Sequence, residues 1–267
     1  MRALVLGHAL DPTANAVAAA LMQRGGWQVH RHDIAGLTGA QWEQRLAADG
    51  AIVTQVEIGG DDIGACDVVF NRLGSPQVPG FSGWSATDRA YAEAEWLALL
   101  LSWLIALGDR VIGAPAGSAL CGPPNRAWSW LAAAAAAGLA VHPGGATTSS
   151  RQFPPPRGAA ERPDLLAVPV ATTFAAERAI GHAEVAVAQC VLLLVGDAVF
   201  GGIDPGPDVR TACLALAAAQ RTPVLAITLA QRAGDPRWRF VAADAVPMVA
   251  AGPPLVALVD LMQARAA

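Results

Sequence analysis

The chemistry open to this chain is bounded first by what it lacks. All 18 of its cationic side chains are arginine, and the sequence contains no lysine. Without a side-chain ammonium there is no group for a Schiff base, for the lysine of a Walker-type phosphate clamp or for a lysine general base. The five histidines, His8, His30, His32, His142 and His182, form no HExxH motif. His30 and His32 stand two apart, on one face of an extended segment. No third ligand is indicated nearby, so an ordinary strand pair is favoured over a metal site. The four cysteines, Cys66, Cys121, Cys190 and Cys213, are widely spaced, which excludes a CxxC redox motif and a zinc knuckle. Cys190 and Cys213 lie in apolar segments and read as core. Cys121 lies in a Leu120-Cys121-Gly122-Pro123 loop, where an exposed thiol is allowed.

The carboxylates give no paired acid–base constellation. Asp61-Asp62 sits in a glycine-rich stretch and reads as a solvated turn. Glu93 and Glu95 are two apart on a helix and so do not share a face. Asp197 follows Gly196 at a hairpin tip, where turn chemistry alone accounts for it. No GxGxxG follows the first apolar run, no P-loop is present, and GxSxG is absent.

These residues must be positioned by alternating strands and helices. Ala3 to Leu6 is a short apolar run, as expected for a strand covered on both faces. Asp11 caps a helix with Pro12 at its first position, ending at Gly25-Gly26. Trp27 to His32 reads as extended, Leu37 to Ala48 as a second helix, and Ala51 to Gln55 and Val68 to Arg72 as strands. Gly74 to Gly83 reads as a loop. A long helix follows, capped by Thr87 or Asp88 and ending near Leu107, with Trp96 and Trp103 seven apart on its core face. Val111-Ile112 closes this part as a short strand. The pattern predicts an α/β domain with a largely parallel sheet over residues 1 to 115.

The second part opens with Gly122-Pro123-Pro124-Asn125 and a helix to Ala137, closed by Gly138. Residues 143 to 163 are rich in proline, glycine and serine and read as a linker or lid. Strands are predicted at Leu165 to Thr173, Glu184 to Ala188 and Val191 to Phe200, the last folded into a hairpin at Gly196-Asp197. A helix from Asp208 to Gln220, strands at Pro223 to Leu229 and Trp238 to Ala243, and a helix from Pro253 to Ala264 complete the chain.

Composition excludes several classes. The chain has 267 residues, 54% hydrophobic and 15% charged, with a formal charge of −4. That is too apolar for a disordered tail protein and too acidic for a general nucleic-acid binder. The most apolar run, Trp96 to Leu107, is too short for a membrane span of ~20 residues. The first residues do not form a signal peptide. The expected location is the cytoplasm, with no membrane and no nucleic-acid partner.

The segments also fall in a meaningful order. Leu4-Val5-Leu6 leads to an Asp-led helix, then to Val29 to Asp33, then to Val68-Val69-Phe70-Asn71-Arg72. A glutamate-bearing helix, Ala92-Glu93-Ala94-Glu95-Trp96, comes next. Asn125-Arg126 opens a helix that runs to Gly138-Leu139-Ala140-Val141-His142-Pro143, and Leu194-Val195-Gly196-Asp197 forms a hairpin. This ordered set resembles the ATP-grasp family, in particular the RimK-like and graspetide-type peptide ligases. The resemblance implies a parallel-sheet pre-ATP-grasp-like α/β domain over 1–115. It implies a shortened α+β ATP-grasp-like domain over 116–267. It also implies that Arg72 and Glu95 bind substrate and that Asn125, Arg126 and Asp197 bind nucleotide.

The family's phosphate-binding lysines have no counterpart here, and Arg126 begins the helix where one of them would stand. The family's Glu-x-Asn magnesium pair falls on Phe240-Val241-Ala242-Ala243-Asp244-Ala245, which offers Asp244 alone. Its Asp-x-Arg falls on Ala188-Gln189-Cys190. The favoured expectation is therefore a degenerate, non-catalytic ATP-grasp-like accessory subunit of a peptide or small-molecule biosynthetic pathway. It would need no cofactor and no metal, and its partner would be another protein, a second copy, or an acidic metabolite or peptide. The alternative is an active ATP-dependent carboxylate–amine ligase using ATP and Mg²⁺, with Arg72 gripping an acidic or peptide substrate through paired hydrogen bonds.

Overall fold

The computed structural model describes residues 1–48, 50, 52–74, 83–123, 127–141 and 186–267. In chain order the first half contains β1 (Arg2–Leu6), α1 (Pro12–Arg24), β2 (Gln28–His32), α2 (Ile34–Thr38), β3 (Gln41–Leu46), β4 (Ile52–Ile58), β5 (Asp61–Asp62), β6 (Val68–Asn71), α3 (Ala86–Ala106) and β7 (Val111–Ile112). The second half contains α4 (Ala127–Ala136), β8 (Ala140–Val141), β9 (Ala186–Val195), β10 (Ala198–Phe200), α5 (Pro207–Ala219), β11 (Val224–Arg232), β12 (Asp235–Asp244) and α6 (Gly252–Ala266).

The first sheet is parallel, in the order β2-β1-β6-β7. β1, β6 and β7 are short apolar runs because both faces are covered, while the edge strand β2 is polar and half-buried. Ala3, Val5, Val68, Phe70 and Ile112 face α1 and α6, in one cluster with Leu258, Val259 and Met262. Leu4, Leu6, Val69 and Val111 face α3, against Leu100, Trp103 and Leu104. The second sheet runs β10-β9-β11-β12-β8 and is antiparallel except where β8 joins β12. One face packs on α4 and α5 through Leu192, Leu194, Leu225, Ile227, Leu229 and Phe240 against Trp130, Cys213 and Leu216.

The two sheets fall on either side of residue 115, but the last helix crosses that line. It packs against α1 and β6, and Val195 and Val224 of the second sheet enter the same cluster as Ala3 and Val5.

Several local expectations change. The predicted helix over 37–48 is instead α2 followed by β3, which pairs antiparallel with β4. Asp33 caps α2 through Gly36 N–H, and Gly39 ends it. Trp42 then turns inward, donating from Nε1 to Leu37 O at 2.9 Å. It meets Trp96 and Trp103 edge-on, with centroids 5.3 and 5.2 Å away. That three-ring contact favours a strand because its partners lie on a distant helix, invisible to local periodicity. Asp61-Asp62 is a short strand rather than a free turn, with Asp61 opposite Ile58. The long helix is capped by Ser85, whose Oγ accepts from Asp88 N–H, rather than by Thr87 or Asp88. Residues 186–195 form one strand where two runs were expected. The predicted strand at Leu165 to Thr173 and the linker at 143–163 lie outside the described residues.

Candidate functional site

The carboxyl-terminal ends of β1 and β6 meet the end of β12, and charged side chains gather there. The order β2-β1-β6-β7 makes the β1/β6 boundary the place where successive connections leave in opposite directions, and ligands in open α/β sheets bind at such points. Arg72 is the first residue beyond β6 and donates its backbone N–H to Leu6 O. Its Nε donates to Asp11 Oδ2 at 2.8 Å, its Nη1 to Pro247 O at 2.8 Å and its Nη2 to Val246 O at 3.4 Å. The guanidinium carbon lies 5.9 Å from the Phe70 ring centroid. The Arg72 side chain is only 8% exposed. The group expected to grip a substrate carboxylate thus grips Asp11 and the turn after β12.

Asp11 is held from both sides. Its Oδ1 accepts from the N–H groups of Thr13 and Ala14, capping α1, while Oδ2 takes Arg72. Burial pushes its carboxyl upward, but the Arg72 hydrogen bond and charge and the two cap bonds outweigh that and lower it below its ordinary range. Beside it, Arg31 donates to the carbonyls of Gly7, His8 and His32. Burial lowers the Arg31 pKa against the opposing pull of Asp11 and Asp33. His30 Nδ1 lies 3.8 Å from Asp61, and no group of three potential metal ligands occurs among the described residues.

Asn71, buried at the end of β6, fixes the loop that leads toward α4. Its Nδ2 donates to Gly113 O at 2.8 Å and Leu120 O at 2.6 Å, and its Oδ1 accepts from Leu73 N–H. Cys121 Sγ donates to Asn71 O at 3.0 Å. The loop sequence allowed an exposed Cys121 thiol; in the structure it is buried, and burial pushes its pKa up to about 12. Gly113 has a φ of +82°, and a Cβ there would stand 2.2 Å from Asn71 O. Only glycine allows that approach. Gly122 likewise presses on Ala245, so the loop is wedged between the ends of β6 and β12.

The open face of the second sheet follows from register. Ala226 pairs with Asp244, Thr228 with Ala242, and Ala230 with Arg239. The alternate residues Ile227, Leu229, Phe240 and Ala243 belong to the core under α4 and α5. Ala242 and Asp244 therefore share the face turned away from α4 and α5. Asp244 Oδ1 accepts from Val246 N–H at 2.8 Å, and Arg239 is tied to Asp235 and Val141 O. A magnesium ion beside phosphate takes six oxygens in octahedral geometry, from one or two protein carboxylates, its waters and the phosphates themselves. Among the described residues this strand end offers that ion one carboxylate, with an oxygen already engaged, beside a methyl group at 242, which leaves it short of protein oxygens.

Of the remaining expected site residues, Asp197 lies away from the Arg72 cluster. Glu95 is exposed on α3. Asp197 is exposed at the β9–β10 turn and lines a different cleft with Gly108 and Asp109, beside the edge strand β7. Asn125 and Arg126 lie outside the described residues. Asp11, Arg31 and Asn71 are the polar groups that hold the site together. Asp11 was legible as a helix cap, while no local signal marks the other two.

No protein-family model and no curated protein sequence matches the chain. Solved structures do. The chain aligns over 99% of its length with 100% of the macrocyclase MdnC of Microcystis aeruginosa, bound with precursor peptide MdnA, at a TM-score of 0.70 and 12% identity. It aligns over 99% of its length with 98% of the ATP-grasp ligase PsnB, complexed with minimal precursor, Mg and ADP, at a TM-score of 0.68 and 16% identity. A third is a RiPP-associated ATP-grasp ligase of Chryseobacterium gregarium in complex with ADP and a leader and core peptide. It gives a TM-score of 0.64 and 12% identity over 98% of this chain and 96% of that one. The chain has an ATP-grasp-like α/β fold. Its structural likeness is to the ATP-grasp ligases, including those solved with precursor peptides. No helix among the described residues is long and apolar enough to cross a membrane.

Proposed function

We propose that this chain is a peptide-binding accessory protein, built on the ATP-grasp framework without its metal–triphosphate chemistry, that serves a cytoplasmic biosynthetic pathway. The observation that carries this reading is the face of the second sheet turned away from α4 and α5, where register puts Ala242 and Asp244 on one side and, among the described residues, supplies one carboxylate at that strand end. The absence of lysine removes the usual point charges for phosphate. Metal ions and positioned cations provide most of the catalysis in phosphoryl transfer. Peptide as the ligand class is supported by the neighbours, several of which are bound with precursor peptides. The 1–115 and 116–267 layers are its two working parts, and a partner subunit or a second copy completes it.

Titration calorimetry with ATP and Mg²⁺ tests this reading. No saturable binding is expected, and micromolar affinity refutes it. The second reading, an ATP-dependent carboxylate–amine ligase, is favoured by neighbours solved with ADP and with Mg. In that case Arg72 and Glu95 serve the substrate and Asn125, Arg126 and Asp197 the nucleotide. It requires Arg72 to leave Asp11 when substrate arrives.

A further inference from the structure

The helix α5 ends in an unusual way. Thr222 N–H bonds Ala217 O at 2.9 Å and Arg221 N–H bonds Ala218 O at 3.0 Å, the pair of reversed bonds that closes a helix with a left-handed residue. Glycine ordinarily fills that position. Here it is Arg221, with a φ of +51°, the only non-glycine residue with positive φ among those described. Backbone strain held in place by its surroundings concentrates at functional positions.

Arg221 lines a cleft of about 430 Å³ between the two sheets. The floor is apolar: Val111, Leu214, Ala217, Pro223 and Leu261. The rim carries Arg221, Arg265, Asp109 and Asp197. Arg265 Nη1 donates to the Asp109 carbonyl. Arg221 comes within 3.6 Å of the Asp109 carboxylate, too far for a hydrogen bond, and its side chain is 84% exposed. Among the described residues its side chain makes only this loose, exposed ion pair and no hydrogen bond, and the two guanidiniums converge on Asp109, one from the end of α5 and one from α6. The cleft belongs neither to the Arg72 cluster nor to the open sheet face.

We propose that this cleft is a docking site for an acidic peptide segment. One apolar side chain fills the floor, and a neighbouring carboxylate takes the two-pronged donors of Arg221 with help from Arg265. Asp197, across the rim, sets the direction of the segment by repelling a second acid. The inference rests on the peptide reading above and adds where the peptide lies and what it carries.

Selection of a random 12-residue displayed peptide library on the full-length protein tests it. Selected peptides are expected to pair acidic with apolar residues and to slow hydrogen exchange over residues 214–223 and 261–265. Arg221→Gly should weaken them by about tenfold or more, the loss expected for a charge-assisted contact. It should do so at an equal or higher Tm, because glycine takes the same φ without strain. Arg265→Ala should weaken them in the same direction. Selected peptides that bind Arg221→Gly as tightly as the natural chain, or that protect other segments, overturn the docking site and leave the peptide reading standing. Failure to select any peptide overturns both.

Discussion

Replacing Arg72 by alanine separates a structural arginine from a substrate-binding one. The side chain is 8% exposed and its partner Asp11 is 12% exposed. Truncation leaves a buried carboxylate without its cation and the carbonyls of Val246 and Pro247 without a donor. Breaking a buried pair from one side costs about 3–5 kcal/mol. At ~2–4 °C per kcal/mol for a chain of this size, Arg72→Ala should melt roughly 6–20 °C lower. Asp11→Asn should lose less, because asparagine still caps α1.

The pH dependence has a definite sign. The Asp11 carboxyl is lowered in the folded state, so its contribution is complete above the unfolded value of about 4. It fades as pH falls through the folded value. The Tm gap between natural and variant proteins should therefore be full at pH 7 and shrink in acid. Differential scanning calorimetry from pH 7 to below about pH 4 follows the onset of that loss. A gap of less than about 2 °C at pH 7 refutes the clamp and returns Arg72 to the ligand-binding role.

Two other outcomes follow from packing. Residues 1–115 expressed alone lack Leu258, Val259 and Met262, each 4% exposed or less in the whole chain. Losing three such contacts removes roughly 5–9 kcal/mol, comparable to the whole stability of a domain. The fragment should bind a hydrophobic dye and show no cooperative melt by circular dichroism, and a sharp transition contradicts the shared core. All four thiols are buried, with Cys66 pushed up to about 11 and Cys121 and Cys213 to about 12 by burial. Ellman's reagent at pH 8 should find them unreactive until denaturant is added. A rapidly reacting Cys121 would count against the Asn71-pinned loop.

The regular elements were legible where local rules and tertiary packing agree. Asp11-Pro12 starts α1, Gly25 ends it, and Gly196-Asp197 turns β9 into β10, all as the sequence suggests. The stretch from 37 to 48 failed because Trp42 is drawn into a strand by rings that lie 54 and 61 residues away on α3. The site was less legible for the same reason. Arg72 announces a cation at a strand end, but its partners are 61 and 175 residues distant. Nothing near Arg72 says that its donors are already engaged. Ala242 is informative only once register shows which face it occupies.

The placement of α6 has a consequence for synthesis on the ribosome. About 140 residues separate Ile112, where the parallel sheet is finished, from Gly252, where its last covering element begins. At ~5–20 residues per second the nascent sheet waits on the order of ten seconds with one hydrophobic face covered by α1 alone. A chaperone that shields exposed apolar surface is therefore expected on the nascent chain, with release only once α6 has emerged and docked.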